Sequence, residues 1–277
     1  MTRLNWPRQI GAGTMALMMI GGGTATARAQ GTAGSGGGAL TLTASLDAPS
    51  VYVFRGIVQE SDPRLTLTPA VDVGVRFGAA TVNLGTWHSL QTGSSGLDGP
   101  TGRLHYEEDF YATFGVGVGR GLNVGTTFTA YTSPGNIFNT VKEISLKAAA
   151  ARFFDAYGLI AVELEGAADG LDDGAGTYVE IGAAPTLPIG GRLRFAVPVR
   201  LGMSVNNYYQ QIDGRDTSFG FFAAGVLVTW PLSQSSRYGT WTLRGGADVY
   251  AFGETTKTYN AGDSSKVVGT VGIGLIY

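Results

Sequence analysis

Apolar residues occupy every second position in many segments of this 277-residue chain. The segment 193–205 shows the pattern most clearly, because one register is wholly apolar and the other carries Arg194 and Arg200. Side chains alternate across the pleat of a strand, so this segment predicts a strand with one apolar and one polar face. Beyond residue 29, no run approaches the roughly 18 consecutive apolar residues that a membrane-spanning helix needs. The chain is therefore expected to cover its apolar groups with paired strands.

The alternation recurs in segments of about ten to thirteen residues, which is the length that a tilted strand needs to cross a bilayer. Inside a bilayer, a closed barrel is the β-structure that pairs every backbone polar group. We therefore predict an all-β fold class, with residues 39–277 forming a single antiparallel transmembrane β-barrel of about 12 strands. The predicted strands are 40–56, 65–77, 80–91, 104–118, 122–132, 140–151, 157–168, 177–187, 193–205, 217–230, 240–253 and 265–277.

The connections between these segments alternate in character. Those after even-numbered strands are mostly tight, such as 78–79 and 119–121, whereas those after odd-numbered strands are longer and more polar, such as 92–103 and 206–216. Short periplasmic turns and long external loops are typical of bacterial outer-membrane barrels. A soluble β-sandwich gives no reason for this rule, so the connections favour the barrel.

The beginning of the chain is typical of an exported protein. Residues 1–29 combine two early arginines, a short apolar run and alanines on either side of Arg28, which predicts a cleaved signal peptide. Residues 30–38 form a glycine-rich leader that we expect to be flexible. The chain has no cysteine, which excludes disulfides, thiolate metal sites and a lipid-anchored N-terminus. The predicted location is the outer membrane of a Gram-negative bacterium.

The end of the chain resembles the C-terminal signal that the barrel-assembly machinery reads. Thr270 supplies its polar position, Gly272 its glycine, Leu275 an alternating hydrophobic position and Tyr277 its terminal aromatic. The predicted partners are outer-membrane lipid and, during biogenesis, the barrel-assembly machinery. The net charge of −2 gives no reason to expect nucleic acid as a partner.

Charged side chains are expected to face the lumen, because an arginine or lysine on the lipid face at mid-membrane costs about 2 to 4 kcal/mol. Their mixed signs leave two alternatives open: salt bridges that narrow or plug the barrel, or a charge-lined path for small solutes or ions. The predicted lumen-lining residues are Arg55, Asp72, Arg76, Glu107, Asp109, Tyr111, Glu143, Lys147, Glu163, Glu165, Glu180, Arg194, Arg200, Arg244 and Asp248.

Aromatic residues near the predicted strand ends are expected to form girdles at the two membrane interfaces. The predicted members are Phe77, Trp230, Trp241 and Tyr277 at the periplasmic rim, and Tyr52, Phe54, Phe110 and Tyr131 at the external rim.

Several short elements resemble a known family. Residues 50–59, Ser-Val-Tyr-Val-Phe-Arg-Gly-Ile-Val-Gln, are similar to the Ser-x-Tyr-x-Phe-Arg-Gly-Ile-Ser-Gln opening of the TorF-like porin family of proteobacterial outer-membrane proteins. Residues 107–111 resemble its Glu-x-Asp-x-Tyr element, residues 87–89 its Trp-x-Ser step, and Glu143 its strand glutamate. The departures are Val58 and Val141, where that family has serine and tyrosine. The resemblance implies an outer-membrane barrel with a transport role.

No catalytic, cofactor or metal site is predicted. Gly-x-Ser-x-Gly and the phosphate-binding glycine loop are absent, and the neighbours His88 and Ser89 must point to opposite faces of their strand. The loop residues Asp169, Asp172 and Asp173 lack EF-hand spacing, so a solvated loop is favoured over a weak calcium site. Glu107 and Asp109 with Tyr111 are better candidates for contact with a solute or cation.

Three functional classes therefore remain. The first is a porin or channel for the passive passage of small solutes or ions through a charge-lined lumen. The second is a structural or adhesive outer-membrane barrel with a plugged lumen, and the third is a barrel-embedded lipid-modifying enzyme. The sequence sets no oligomeric state.

Overall fold

The computed structural model describes residues 39–95, 104–151, 154–167, 175–188, 193–211, 213–235 and 237–277. The predicted signal peptide (1–29), the leader (30–38) and the aspartates at 169, 172 and 173 lie outside the described residues.

The described residues form a closed, all-β barrel of 12 antiparallel strands, as predicted. The strands are β1 (Ala39–Pro49), β2 (Thr66–Phe77), β3 (Ala80–Gln91), β4 (His105–Gly119), β5 (Leu122–Thr132), β6 (Val141–Ala150), β7 (Ala156–Glu165), β8 (Thr177–Ala183 and Thr186–Pro188), β9 (Arg194–Ala196 and Val199–Asn206), β10 (Phe219–Ser235), β11 (Gly239–Phe252) and β12 (Ser265–Ile276). Proline lacks the N–H that a strand ladder needs, and β8 and β9 are each interrupted where one occurs, at Pro185 and Pro198.

The first and last strands close the ring. β12 pairs with β11 on one side and with β1 on the other. Beyond these ladders, Leu42 and Tyr277 exchange backbone hydrogen bonds of 2.7 and 2.8 Å. Because every strand has two neighbours, the barrel presents no open edge to its surroundings.

The outer face of the barrel is an apolar surface that runs around the molecule. Leu84 on β3 is 60% exposed, and large hydrophobic side chains are exposed in the same register on the other strands. Examples on successive strands are Val73, Phe114, Phe128, Leu146, Ile160, Ile181, Phe222, Leu243 and Val271. The alternation in the sequence therefore separates an apolar exterior from a polar interior.

Those connections that the structure describes in full follow the predicted even-odd rule. The turns 78–79 and 120–121 at one end are short, and Gly78, Gly119, Arg120 and Gly121 adopt positive φ there. We call this the short-turn end and the opposite one the long-loop end. The last long connection contains the helix α1 (Glu254–Tyr259). No helix in the described ranges has the length and hydrophobicity to span a bilayer.

The prediction for the first strand was wrong, because β1 ends at Pro49 rather than at residue 56. The chain then enters the barrel as a small hairpin in which Val53–Phe54 pairs with Ile57–Val58. Its turn residues Arg55 and Gly56 have φ of 41° and 82°, as a two-residue type I′ turn requires. We call residues 51–59 the luminal hairpin.

The luminal hairpin also corrects the predicted external girdle. Tyr52 and Phe54 are buried instead of facing the membrane interface, and so is Tyr131 on β5. Phe110 is exposed, as are Phe77, Trp230, Trp241 and Tyr277 of the other predicted girdle. The hairpin enters the barrel because both faces of its first strand are apolar. All four consecutive residues of this segment, Val51, Tyr52, Val53 and Phe54, are buried inside the barrel.

Candidate functional site in the lumen

The turn of the luminal hairpin carries Arg55 to the opposite wall of the barrel. Its guanidinium donates to both carboxylate oxygens of Glu143 on β6, from Nη1 to Oε2 at 2.8 Å and from Nη2 to Oε1 at 2.9 Å. Nη1 also donates to the Tyr208 hydroxyl at 2.8 Å, and Tyr131 donates to Glu143 at 3.1 Å. The exposed fractions of the Arg55 and Glu143 side chains are 6% and 4%. This is a buried, bidentate ion pair across the lumen.

The surroundings of Arg55 favour its charged form. Burial alone would lower the pKa of the guanidinium, but the charge and hydrogen bonds of Glu143, together with Tyr208 and Tyr131, outweigh burial and raise the pKa above its ordinary value. The guanidinium carbon also lies 4.0 Å from the centre of the Tyr178 ring, in a cation–π contact. Arg55 is therefore held by charge, hydrogen bonds and stacking together.

Two other long connections hold the backbone of the hairpin. The Tyr209 hydroxyl donates to the carbonyl oxygen of Arg55 at 2.8 Å. Asn260, which directly follows α1, accepts from the Val58 N–H and donates to the Gly56 carbonyl, each at 2.8 Å. Three connections at the long-loop end thus meet inside the barrel and fix the hairpin there.

A glutamate after the hairpin anchors its return to the wall. Glu60 accepts hydrogen bonds from the Tyr52 N–H at 2.9 Å and from the Thr66 hydroxyl. Burial raises the pKa of Glu60, although these two hydrogen bonds act in the opposite direction. The neighbouring Gln59 accepts from the Tyr106 hydroxyl at 2.9 Å. The hairpin is therefore bound to β4 as well as to β6.

Aromatic side chains fill the space around the hairpin. The rings of Tyr52 and Trp87 lie 5.2 Å apart, and those of Tyr178 and Tyr208 lie 5.0 Å apart. The fully buried aromatic residues are Tyr52, Phe54, Trp87, Tyr106, Tyr131, Tyr178, Tyr208, Tyr209 and Phe221. Buried aromatic side chains consequently fill the part of the lumen nearest the long-loop end.

Two acids lie under this aromatic layer. Glu107 and Asp109 are adjacent on the luminal register of β4, and both are 0% exposed. Asp109 is the cross-strand partner of Trp87. Asp109 interacts with Glu107 through a side-chain hydrogen bond, whereas the Trp87 indole N–H is buried without a hydrogen-bond partner within the described part of the chain. The sequence predicted that Glu107 and Asp109 with Tyr111 contact a solute or cation, and this contact stays a prediction.

A second layer of charge lies nearer the short-turn end. Tyr157 and Tyr178 each donate to Glu180 at 2.5 Å, and the Lys147 ammonium lies 4.3 Å from the Tyr157 ring centre. Arg200 pairs with Asp248 at 3.2 Å and with the Tyr250 hydroxyl at 2.9 Å. These contacts join β7 and β8 on one side and β9 and β11 on the other.

The remaining predicted lumen residues are distributed along the barrel wall. Arg244 on β11 pairs with Asp47 on β1, with Nε–Oδ1 at 2.7 Å. Asp72 accepts from Asn83 at 3.0 Å, and the buried Glu163 accepts from the Gly176 N–H at 2.9 Å. The residues Arg76, Tyr111 and Arg194 are partly buried.

Glu165 corrects the predicted lumen set. It is 61% exposed and pairs with Lys142 at 2.5 Å, at the end of β7. A β-bulge between Lys142 and Glu143 places Leu164 outside the regular pairing, so Glu165 does not share the face of Glu163. The prediction assumed that side chains alternate strictly between the two faces of β7. It was wrong for Glu165 because Leu164 is an additional residue in this strand.

The residues that resemble the TorF-like family elements converge in space. Tyr52, Phe54 and Arg55 from the first element meet Trp87, Glu107, Asp109 and Glu143 from the others at the luminal hairpin. His88 instead contacts His105 at 3.1 Å and is 3.7 Å from Glu108, in the opposite register to the buried Ser89. The histidine and serine therefore stand apart, as the alternation predicted.

Some residues of the site were not predicted from the sequence. Asp47, Tyr208, Tyr209 and Asn260 all make contacts inside the barrel. Two adjacent tyrosines in a polar connection are a signal for buried contacts, since a solvated loop has no need of them. The partnership of Asn260 depends on contacts 204 residues away in sequence and has no local signal.

The predicted assembly-signal residues lie on the closing strand. Thr270 pairs with both Pro49 and Gly246, and Gly272 pairs with Asp47 and Arg244. Leu275 lies opposite Ala44 and Trp241, and Tyr277 is exposed at the end of β12. Recognition of these residues by an assembly machinery stays a prediction.

No protein-family model matches the chain, and no curated protein matches it at a significant level. Similar solved structures include the KdgM porin, at 8% identity over 85% of this chain and 98% of that chain with a TM-score of 0.44. The NanC porin is similar at 11% identity over 86% and 99%, with a TM-score of 0.46. The translocator domain of autotransporter NalP from Neisseria meningitidis is similar at 13% identity over 93% and 95%, with a TM-score of 0.45. These values assign no activity, so the function is argued from the residues of the chain itself.

Proposed function

We propose that this chain is an outer-membrane channel for small solutes or ions, and that the luminal hairpin closes it in the conformation described. The carrying observation is the continuous apolar exterior around a closed barrel with a charged interior. Such a surface is unfavourable in water and favourable in lipid. The long-loop end is then external, and export by residues 1–29, contact with outer-membrane lipid and assembly through the C-terminal signal belong to the same proposal.

The charged side chains in the lumen support the proposal that solutes or ions pass through it. Beyond the aromatic layer, the interior carries Lys147, Glu180, Arg200 and Asp248, whose charges are of both signs. A packed structural core gains nothing from buried charges, because the desolvation of an ion pair offsets its attraction. Charged groups along the wall instead stabilise water and ions in a pore.

The closure is reversible in this proposal, since many of the contacts that hold the hairpin are polar. Arg55, Tyr209 and Asn260 provide hydrogen bonds that water can replace when the hairpin leaves. The hairpin is bounded by residues 60–65, whose strand Glu60–Asp62 pairs only with the short strand Ser94–Ser95 within the described residues. Membership of the TorF-like porin family is part of the proposal and is supported by the convergence of the family-like residues on this hairpin.

Single-channel recording in a planar bilayer tests the proposal. The full mature chain should show low conductance with rare openings, whereas a variant with residues 51–59 replaced by a short Gly-Ser linker should show steady ohmic currents. Neutralising Arg200 to glutamine should then shift the selectivity towards cations. The matched control is Arg120→Gln, which removes an arginine from an exposed turn and should leave the ion selectivity unchanged. A linker variant that is folded and inserted but passes no current would refute the channel.

A structural barrel with a plugged lumen is the second candidate. It is favoured by the dense aromatic layer and by the bidentate Arg55–Glu143 pair, which fix the hairpin as a permanent cross-brace. It predicts that removing the hairpin lowers stability and leaves the bilayer silent. The same recordings therefore separate the two candidates.

A further inference from the structure

The seam where the first and last strands meet carries an ion pair that spans three strands. Asp47 on β1 and Arg244 on β11 each lie opposite Gly272 of β12, one on either side of it. Their side chains nevertheless meet, because Arg244 donates from Nε to Oδ1 of Asp47 at 2.7 Å and from Nη2 to Oδ2. This bidentate pair crosses the luminal side of β12 and joins its two neighbours. We call it the seam clasp.

Gly272 supplies the space through which the seam clasp passes. Two strands that flank a third lie roughly 10 Å apart, so a pair that joins them must lie flat against the middle strand. Gly272 is buried, and a Cβ added to it would overlap Oδ1 of Asp47. The backbone itself does not require glycine there, because Gly272 is not among the glycines with positive φ. The space needed by the clasp therefore accounts for a glycine at this position.

The seam clasp reinforces the ladder that closes the ring. Regular pairing at the seam covers seven residues of β1, Thr43 to Pro49, whereas β11 pairs with β12 over twelve residues, Thr240 to Ala251. Asp47 and Arg244 are 197 residues apart in sequence, so they meet only when the two ends of the barrel have come together. Contacts that form late in this way slow unfolding more than they speed folding.

We propose that the seam clasp locks the closed barrel, and that Gly272 fills the glycine position of the predicted C-terminal signal because the clasp needs that space. The glycine then has a role in the folded barrel itself, separate from any recognition during assembly. Asp47 and Arg244 are the residues that perform the locking, and Gly272 positions them. The inference concerns the wall of the barrel, so it holds whether or not the barrel conducts.

Unfolding rates in two backgrounds test this role without any assembly machinery. The purified mature chain is refolded into lipid vesicles, and the loss of its folded mobility on an unheated gel is followed in urea. Gly272→Ala should accelerate this loss about tenfold or more, because the clasp can no longer form. Gly269→Ala on the same strand is the matched control and should leave the rate unchanged, since a Cβ at Gly269 would have no atom within 4 Å.

The second background removes the clasp itself. In Asp47→Ala, the further change Gly272→Ala should alter the unfolding rate by less than about threefold, because the space over Gly272 is already vacant. The exchanged pair, Asp47→Arg with Arg244→Asp, should unfold more slowly than either single variant. These rates are measured on barrels that have already closed, so incomplete refolding of a variant reduces the signal but not the rate.

Two results would overturn the inference. One is an equal acceleration by Gly272→Ala in the wild-type and Asp47→Ala backgrounds, since the strand itself would then require the glycine. The other is a wild-type unfolding rate for Gly272→Ala, which would show that the clasp does not hold the seam.

Discussion

The Arg55–Glu143 pair is the residue-level contact on which the seating of the hairpin depends. The attraction between two buried charges is largely offset by their desolvation, so the intact pair adds little net stability. Removing one partner is different, because the other charge stays buried and uncompensated. The pair therefore acts as a determinant of hairpin position more than as a source of global stability.

Glu143→Gln should lower the free energy of unfolding by about 3 to 5 kcal/mol, which is the usual cost of breaking a buried ion pair. Glu165→Gln is the matched control, since Glu165 pairs with Lys142 on the same strand pair but is exposed. That change should cost no more than about 1 kcal/mol. Urea titration in lipid vesicles measures both, and equal effects of the two variants would contradict the buried role of Glu143.

Gly56→Ala tests the turn of the hairpin. Gly56 has φ of +82°, and an added Cβ would lie 2.8 Å from Cδ1 of Phe221. Gly78 has φ of +60° and no atom within 4 Å of that position, so Gly78→Ala carries only the conformational strain of about 1 to 2 kcal/mol. Gly56→Ala should be more destabilising than Gly78→Ala in the same urea titration. Similar losses would show that Phe221 does not pack against the turn.

At the scale of the element, the alternation of apolar and polar residues determines where strands form, and turn-forming residues determine where they end. The bounds of β3 and β5 were predicted to the residue, because each runs between clear turn signals with one apolar register. The bulge at Leu164 left no local trace in the sequence, since one extra residue keeps the composition of a strand unchanged.

The error in the first strand shows that alternation alone does not distinguish a strand of the barrel wall from a strand inside the barrel. Residues 50–56 have strand-like composition, and a strand of the hairpin does form at Val53–Phe54, but inside the barrel. The four consecutive apolar residues 51–54 are the signal that both faces are buried. Which wall the hairpin reaches could not be predicted, because the Arg55–Glu143 contact joins residues 88 positions apart.

The two faces of β3 provide a direct test of the register. Leu84 faces outwards and Asn83 faces the lumen beside Asp72. Leu84→Arg should lower the free energy of unfolding from lipid vesicles by about 2 to 4 kcal/mol, the cost of a charge facing lipid at mid-membrane. Asn83→Arg should be much better tolerated, because its charge can pair with Asp72. If Asn83→Arg were the more disruptive of the two, the assigned faces would be reversed.

At the scale of the whole molecule, the barrel combines a sealed wall with a closed interior. The wall follows from pairing β1 with β12, which leaves no strand edge exposed. The interior is closed near the long-loop end by three connections that meet at the luminal hairpin. The wall was predictable from the sequence because it repeats one pattern twelve times. The closure was not, because it depends on single contacts between distant segments.

Cysteine accessibility tests the central claim most directly, since the chain has no cysteine of its own. Thr113 lies on the luminal face of β4, four residues beyond Asp109 towards the short-turn end, and contacts Thr127 across the strands at 2.8 Å. In whole cells, a bulky maleimide that cannot cross membranes should leave Thr113→Cys unlabelled. It should label the same cysteine when residues 51–59 are replaced by the linker. Rapid labelling of Thr113→Cys with the hairpin intact would contradict a lumen closed at its outer end.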